Sequence, residues 1–322
     1  MIKSNSSTSS SKGDITKYLV WTILTAACLL LTLDLVWTRL VVYREEWFGS
    51  SIVRRAFENN DPNEIPIFGS SMAQRSYIPE ILGEHFYNYG RAGSNYQKIY
   101  PLVEKEFQKR RTSPIIIDFY SNFLNFQEDY TIRSRDFLPI ANEPLAEELL
   151  KDFDMYSPAF KIPGIRYFGF FPDYWSDMKK MIPEQERNYF NQGGAFYLPE
   201  TPKEEFDEYV EKRLKLFHPF AIDPKLEKRF IQTIASRPDR QVILVMSPSH
   251  KSAYGTEIQF EEMVNYLNQL AEQFSHVHVI AFDGRDYPDD HFKDTLHPNY
   301  KGAKKFSQAL KEALERQGLL QE

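Results

Sequence analysis

Ile65-Pro66-Ile67-Phe68-Gly69-Ser70-Ser71 is the stretch from which the fold can be read. Four apolar residues end abruptly in Gly-Ser-Ser, the pattern of a short strand that turns into a helix and exposes a serine at the turn. The cluster Asn59-Asn60-Asp61-Pro62-Asn63 breaks the chain just before it. Downstream, Phe86–Tyr89, Ile115–Phe119, Val242–Met246 and Val277–Phe282 predict four further strands. Helical spacing fills the gaps. Ile99, Leu102, Val103 and Phe107 mark one face of a helix over Asn95–Lys109. Met263, Leu267, Leu270 and Phe274 mark another, and a last helix is expected over about 299–317. Strands alternating with helices in this way predict an α/β domain, a three-layer α/β/α parallel sheet covered on both sides. No internal repeat is visible.

Length and composition are compatible with that architecture. The 322 residues suffice for one sizeable α/β domain with additions, and 42% hydrophobic content suits a packed core. A net charge of -6 argues against a nucleic-acid partner, because phosphate recognition needs a basic surface. The single cysteine, Cys28, excludes an internal disulfide and a cysteine-rich zinc site.

The N-terminus divides into three expected segments. Residues 1–16 are polar and Ser-rich and are expected to be a disordered tail. Residues 17–38 are expected to be a single transmembrane anchor. From Tyr18 to Leu33 the run is apolar apart from two threonines, and Asp34 is tolerated if it lies near a membrane surface; about 20 residues span a bilayer. Tyr18, Trp21 and Trp37 suit the interfacial belts, and Lys17 and Arg39 can snorkel. The competing reading is a helix of a soluble protein. Thr25-Ala-Ala-Cys28 is a poor lipoprotein box, since cleavage there leaves a new apolar N-terminus. Residues 39–60 are expected to form a juxtamembrane stalk, and 61–322 the main domain. Basic residues flank the span on both sides, so charge does not set its orientation.

One stretch breaks the alternation. Residues 125–222 exceed what a strand-to-strand connection needs and are rich in aromatic residues, as in Tyr167-Phe-Gly-Phe-Phe-Pro-Asp-Tyr-Trp175. This is expected to be an insertion. It reads as a lid or substrate platform beside a site, or equally as an extra helical layer packed by its own rings.

Candidate chemistry is concentrated in four places. Asp294-Thr-Leu-His297-Pro-Asn-Tyr-Lys-Gly302-Ala303 puts an aspartate three residues before a histidine, where its carboxylate can hold one imidazole tautomer. That ring could then accept a proton from a serine of Gly69-Ser70-Ser71. Asn88-Tyr-Gly90-Arg-Ala-Gly93 and Tyr120-Ser-Asn122 each follow their own predicted strand. Taken singly, each has a plainer explanation: a turn for Gly-Ser-Ser, a positive-φ turn for Gly93, a helix N-cap for Asn122. Asp289, Asp290 and His291 beside Asp294 and His297 raise the option of a metal site, but ligand spacing of this kind is unspecific, and His291 is read as a surface residue. No metal and no cofactor are expected.

These four blocks, in this order, resemble the SGNH (GDSL-like) hydrolases, a family of serine esterases and acyltransferases with a flavodoxin-like three-layer α/β/α sheet. The resemblance spans about residues 64–123 and 240–310 and leaves the insertion unmatched. It implies Ser71 as nucleophile, with Ser70 where the family usually has aspartate, Asp294 and His297 as its catalytic partners, and Ser71, Gly93 and Asn122 as oxyanion-hole donors. It also implies a membrane-anchored esterase or O-acyltransferase acting on acyl groups, acetyl first, of a cell-envelope polysaccharide. The catalytic domain would lie on the extracytoplasmic (periplasmic) face of the plasma membrane, beside a multi-pass acyltransferase partner. Two other readings stay open: a non-catalytic interaction module of an envelope assembly, and an esterase acting on lipids.

Overall fold

The structure, a computed structural model, describes residues 10–39, 49–126, 132–174, 192–194, 198–214, 220–254 and 257–320. Its centre is the set of five apolar runs. β1 (Ile65–Phe68), β2 (Phe86–Asn88), β3 (Ile115–Asp118), β4 (Val242–Met246) and β5 (Val277–Ala281) form one sheet in the order β2-β1-β3-β4-β5. Every pairing is parallel, with Ile67 opposite Asn88 and Ile116, and Leu244 opposite Ile117 and Val279. β1 to β4 are buried throughout, as strands covered on both faces must be, whereas the edge strand β5 is partly open. Tyr89, Phe119 and Phe282 fall just outside their strands, yet each still donates its N–H to the neighbouring strand.

The helices among the described residues include α1 (Ser10–Trp37), α2 (Gly49–Glu58), α3 (Ser71–Ser76), α4 (Pro79–Leu82), α5 (Tyr96–Gln108), α6 (Pro144–Asp152), α7 (Lys203–Leu214), α8 (Pro224–Ala235), α9 (Glu257–Glu272) and α10 (Tyr300–Arg316). Strand side chains alternate between two faces. Ile65, Ile67, Ile116, Ile243, Val245 and Ile280 share one face and pack with Ala73 and Tyr77 at α3 and Phe306, Leu310 and Leu314 of α10. On the other side α5 packs on α8, with the ring of Phe123 against both Tyr96 and Phe230. The fold is therefore the expected α/β architecture, a parallel sheet between helical layers.

Two compact units divide the chain. Ile52–Ile132 with Ile182–Glu322 contains the sheet. Met1–Ser51 with Arg133–Met181 forms the other, so that much of the stretch expected as an insertion groups with the N-terminal helix. In that second unit α1 already starts at Ser10, inside the segment expected to be a disordered tail. Once the apolar run is helical, each residue added at its end gains a hydrogen bond without a new nucleation cost, and the helix extends into polar sequence. Ile15–Trp37, 23 residues, is long and apolar enough to cross a membrane, and most of it is exposed. Residues 1–9 and, within the expected stalk, 40–48 lie outside the described residues; α2 occupies the rest of the stalk. In the expected insertion, 127–131, 175–191, 195–197 and 215–219 lie outside them too, Trp175 and His218 included.

Candidate active site

β1 ends at Phe68 and α3 begins at Ser71, so Gly69 and Ser70 are the whole turn. Ser70 caps α3, its hydroxyl accepting from the Met72 N–H at 3.1 Å. Serine and aspartate are both strong N-caps, which accounts for a serine standing where the resemblance would put aspartate. The cap leaves Ser71 as the first helical residue. Its own N–H then has no acceptor within the helix. β1 and β3 are the strands at which the sheet order reverses, and such a crevice at the carboxyl ends is where open α/β sheets take ligands.

The loop after β5 supplies the other half of the site. Asp294 Oδ1 accepts from the backbone N–H groups of Leu296 at 2.8 Å and His297 at 2.9 Å, an Asx-type turn that folds the tetrapeptide on itself. The same turn brings the His297 ring onto the carboxylate, with Nδ1 3.0 Å from Oδ1 and 2.9 Å from Oδ2. With two acceptors there, Nδ1 carries the proton and Nε2 is left as the acceptor. Nε2 lies 2.8 Å from Ser71 Oγ, across 226 residues of sequence. Burial works to raise the Asp294 pKa, but the His297 ring and the two backbone N–H groups outweigh it and hold the carboxyl below its usual range. Asn299 then caps α10, accepting from the Gly302 N–H at 3.2 Å and donating to the Asp290 carbonyl at 2.7 Å.

A cavity of about 190 Å³ opens beside Ser71. Ser71, Gly93 and Asn122 line it together with Phe119, Met246 and Met263. Gly93 adopts φ +66°, a conformation that L side chains rarely take, so the turn explanation and a place at the site both hold for it. Asn122 is no N-cap here. It sits in a turn after β3, and its Oδ1 is buried with no hydrogen-bond partner among the described residues. All five residues singled out from the sequence are thus brought together at one end of the sheet.

Among the described residues, three further histidines are engaged elsewhere. His276 is buried with Nε2 on the Ile234 carbonyl at 3.0 Å, His278 bonds Gln241, and His250 lies between Ser252 at 2.8 Å and Asp289 at 3.1 Å. His291 belongs to no group of three or more metal-ligating side chains among the described residues.

One residue at this end of the sheet escaped the sequence reading. Asp118, fully buried at the end of β3, accepts from the Tyr77 hydroxyl at 2.8 Å and the Ser247 N–H at 3.2 Å, while its Oδ2 has no partner among the described residues. Burial pushes its pKa up to about 7 in spite of those hydrogen bonds. The signal was present in Ile115-Ile-Ile-Asp118, where a carboxylate closes an otherwise wholly apolar strand.

Fold and site together define an α/β protein with a serine, a histidine and an aspartate joined at the carboxyl ends of its strands. No protein-family model matches the chain, and no curated protein matches it. Among solved structures it is similar to a protein of Streptococcus pneumonia provisionally described as a platelet activating factor. The identity is 12%, the TM-score 0.42, and the match covers 88% of this chain and 95% of the other. At that identity and score the likeness assigns neither family nor activity.

Proposed function

We propose that this chain is a membrane-anchored serine esterase or O-acyltransferase of the SGNH type, working through an acyl-serine intermediate. The observation that carries the reading is the hydrogen-bonded chain from Ser71 Oγ to His297 Nε2 and from His297 Nδ1 to Asp294, beside an open cavity. His297 Nε2 takes the Ser71 proton as Oγ attacks the ester carbonyl carbon. The carbonyl π electrons move onto oxygen, and that charge is met by the Ser71 N–H, the Gly93 N–H and the Asn122 amide. The intermediate collapses, the ester C–O bond breaks, and the leaving alkoxide takes the proton from His297. Water or a sugar hydroxyl then attacks the acyl-serine, giving its proton to His297; the acyl C–Oγ bond breaks and Ser71 Oγ takes that proton back. Asp294 stays ionised throughout, holding the tautomer and stabilising the imidazolium. Its depressed pKa favours that role.

The cavity favours a short acyl group. At about 190 Å³ it is smaller than the roughly 300–1,000 Å³ typical of drug-sized ligand pockets, which leaves little room for a long chain. Acetyl esters are accordingly put ahead of lipid esters, and a cell-envelope polysaccharide is their proposed carrier. Retention of α1 as an anchor, rather than its loss as a signal sequence, is supported by a tie from the chain's middle: Asp34 in α1 pairs with Arg166. An anchor would hold the catalytic domain at the extracytoplasmic surface, beside envelope glycans and a multi-pass acyltransferase partner.

Labelling the full chain with a fluorophosphonate and mapping the adduct by mass spectrometry tests the reading. One adduct on Ser71, lost in His297→Ala, is expected. A folded protein that takes no label at Ser71 would instead support a non-catalytic interaction module.

A further inference from the structure

The segment after α6 is tied to the apolar helix by more than the one ion pair. The Asp34 carboxylate receives both ends of the Arg166 guanidinium, Nε at 3.0 Å and Nη2 at 2.5 Å, and the Gly164 N–H at 2.9 Å. Thr38 Oγ1 is 2.9 Å from the Tyr167 hydroxyl, and the Trp37 ring meets Phe171 edge to face at 4.7 Å. Gly164 approaches α1 so closely that a Cβ there would lie 2.8 Å from the Leu30 Cβ and 3.1 Å from the Leu30 carbonyl oxygen. These contacts fix a depth. Leu30 is seven residues before Trp37, about 10 Å along the helix at 1.5 Å per residue, so the segment runs alongside the last third of the apolar stretch.

From Ile162 to Pro172 its outer surface is apolar, and the exposed charges Lys161 and Asp173 lie just outside that stretch. Phe168 is 80% exposed, and Ile162, Ile165 and Phe171 are each more than 40% exposed, at the level where α1 shows Leu29, Leu31, Leu33 and Leu35. Much of its backbone is meanwhile satisfied from within. The N–H groups of Ile162, Ile165, Arg166, Phe168 and Phe170 donate to carbonyls of the same segment. Irregular backbone tolerates hydrocarbon only on that condition, and the Gly164 N–H meets it through Asp34. An aspartate inside a span is costly alone and is found paired.

We infer that Ile162–Phe171 is a membrane-inserted segment: it enters the leaflet at the C-terminal end of α1, and Ile162, Ile165, Phe168 and Phe171 contact lipid acyl chains, with Lys161 and Asp173 at its edges toward water. This rests on the reading of α1 as a membrane span. Lipid is the occupant because these side chains continue the exposed surface of α1 at the same depth. The Asp34–Arg166 pair lets both charges enter as one neutral unit.

The test uses the full chain with Cys28→Ser, carrying a single NBD-labelled cysteine, in phosphatidylcholine vesicles. Phe168→Cys reports on the segment, Leu24→Cys on the span, and the exposed Lys304→Cys on water. Doxyl-labelled phosphatidylcholine should quench the labels at 168 and 24 alike and spare 304, and aqueous iodide should do the reverse. Iodide quenching at 168 with lipid quenching at 24 overturns the inference and leaves the span standing. A label at 168 shielded from both quenchers means a protein partner or a second copy covers the surface, which also overturns it. Iodide quenching at 24 removes the span itself, and the inference with it.

Discussion

Asp294 and Asp118 are two carboxylates near one end of the same sheet with opposite electrostatics, and each has its own test. Asp294 is ionised and holds a ring. Asp294→Asn keeps the shape but lets Nδ1 become the acceptor and Nε2 the donor, so Ser71 loses its proposed base. Fluorophosphonate labelling of Ser71 is expected to slow by about four orders of magnitude, with melting temperature little changed. In the proposed mechanism Asn122→Ala removes one oxyanion donor, and kcat on an acetyl ester should fall by about 10²–10³-fold. Asp118 behaves differently. Its folded pKa lies near 7, above the unfolded value of about 3.9. The folded state therefore binds the extra proton, and stability falls as pH rises from about 4 to about 7 and then levels. Urea titrations across that window should show the decline, and Asp118→Asn should abolish it. A slope that persists in the variant would assign it to another group. The sequence announced Asp294 because its partner is three residues away. Asp118 showed only as a carboxylate closing an apolar strand, and its role stayed hidden because its partners Tyr77 and Ser247 lie on other elements.

Elements built from a local pattern were legible, and those built from distant ties were not. Each strand is a mostly apolar run that its own burial explains, and α5 and α10 follow from helical spacing, α10 with Asn299 as its cap. The aromatic stretch from Tyr167 onward has no such period. Its order comes from α1, which lies more than 120 residues earlier. Asp34 was likewise visible as an interruption of an apolar run, but its partner was not. That pair makes an element-scale prediction. Arg166→Leu strands the Asp34 carboxylate, and losing one member of a buried pair costs about 3–5 kcal/mol. The expected result is a lower yield of full-length protein in the membrane fraction and loss of lipid quenching for a label at 168. Asp34→Leu with Arg166→Leu should restore both, because an apolar pair of similar size replaces a buried ion pair at little cost. A double variant as defective as the single one would show that the pair does something beyond neutralising charge.

The sheet also separates two kinds of chemistry along its length. Its carboxyl ends carry the candidate site, while its amino ends carry a buried charge cluster. Glu64, just before β1, accepts from Arg111 at 2.9 Å and the Tyr89 hydroxyl at 2.8 Å. Arg240, before β4 and fully buried, donates to Glu106 Oε1 at 2.9 Å and to the Ser113 carbonyl, just before β3, at 2.7 Å. Burial works to raise the Glu64 pKa, but the hydrogen bonds from Arg111 and Tyr89 and the nearby charges of Arg55 and Arg111 outweigh it and depress the pKa. Its stabilising contribution is therefore present above the usual glutamate range and is lost as pH falls through the depressed value. Arg240→Met takes one cation from Glu106 and leaves the Ser113 carbonyl without its donor. A loss of about 3–5 kcal/mol of stability is expected, read as a drop in denaturation midpoint. Because the cluster lies a strand's length from Ser71, the labelling rate per folded molecule should not change. A variant that melts normally yet labels slowly would mean that the amino ends of the strands govern the geometry at Ser71, and the division of labour along the sheet would have to be abandoned.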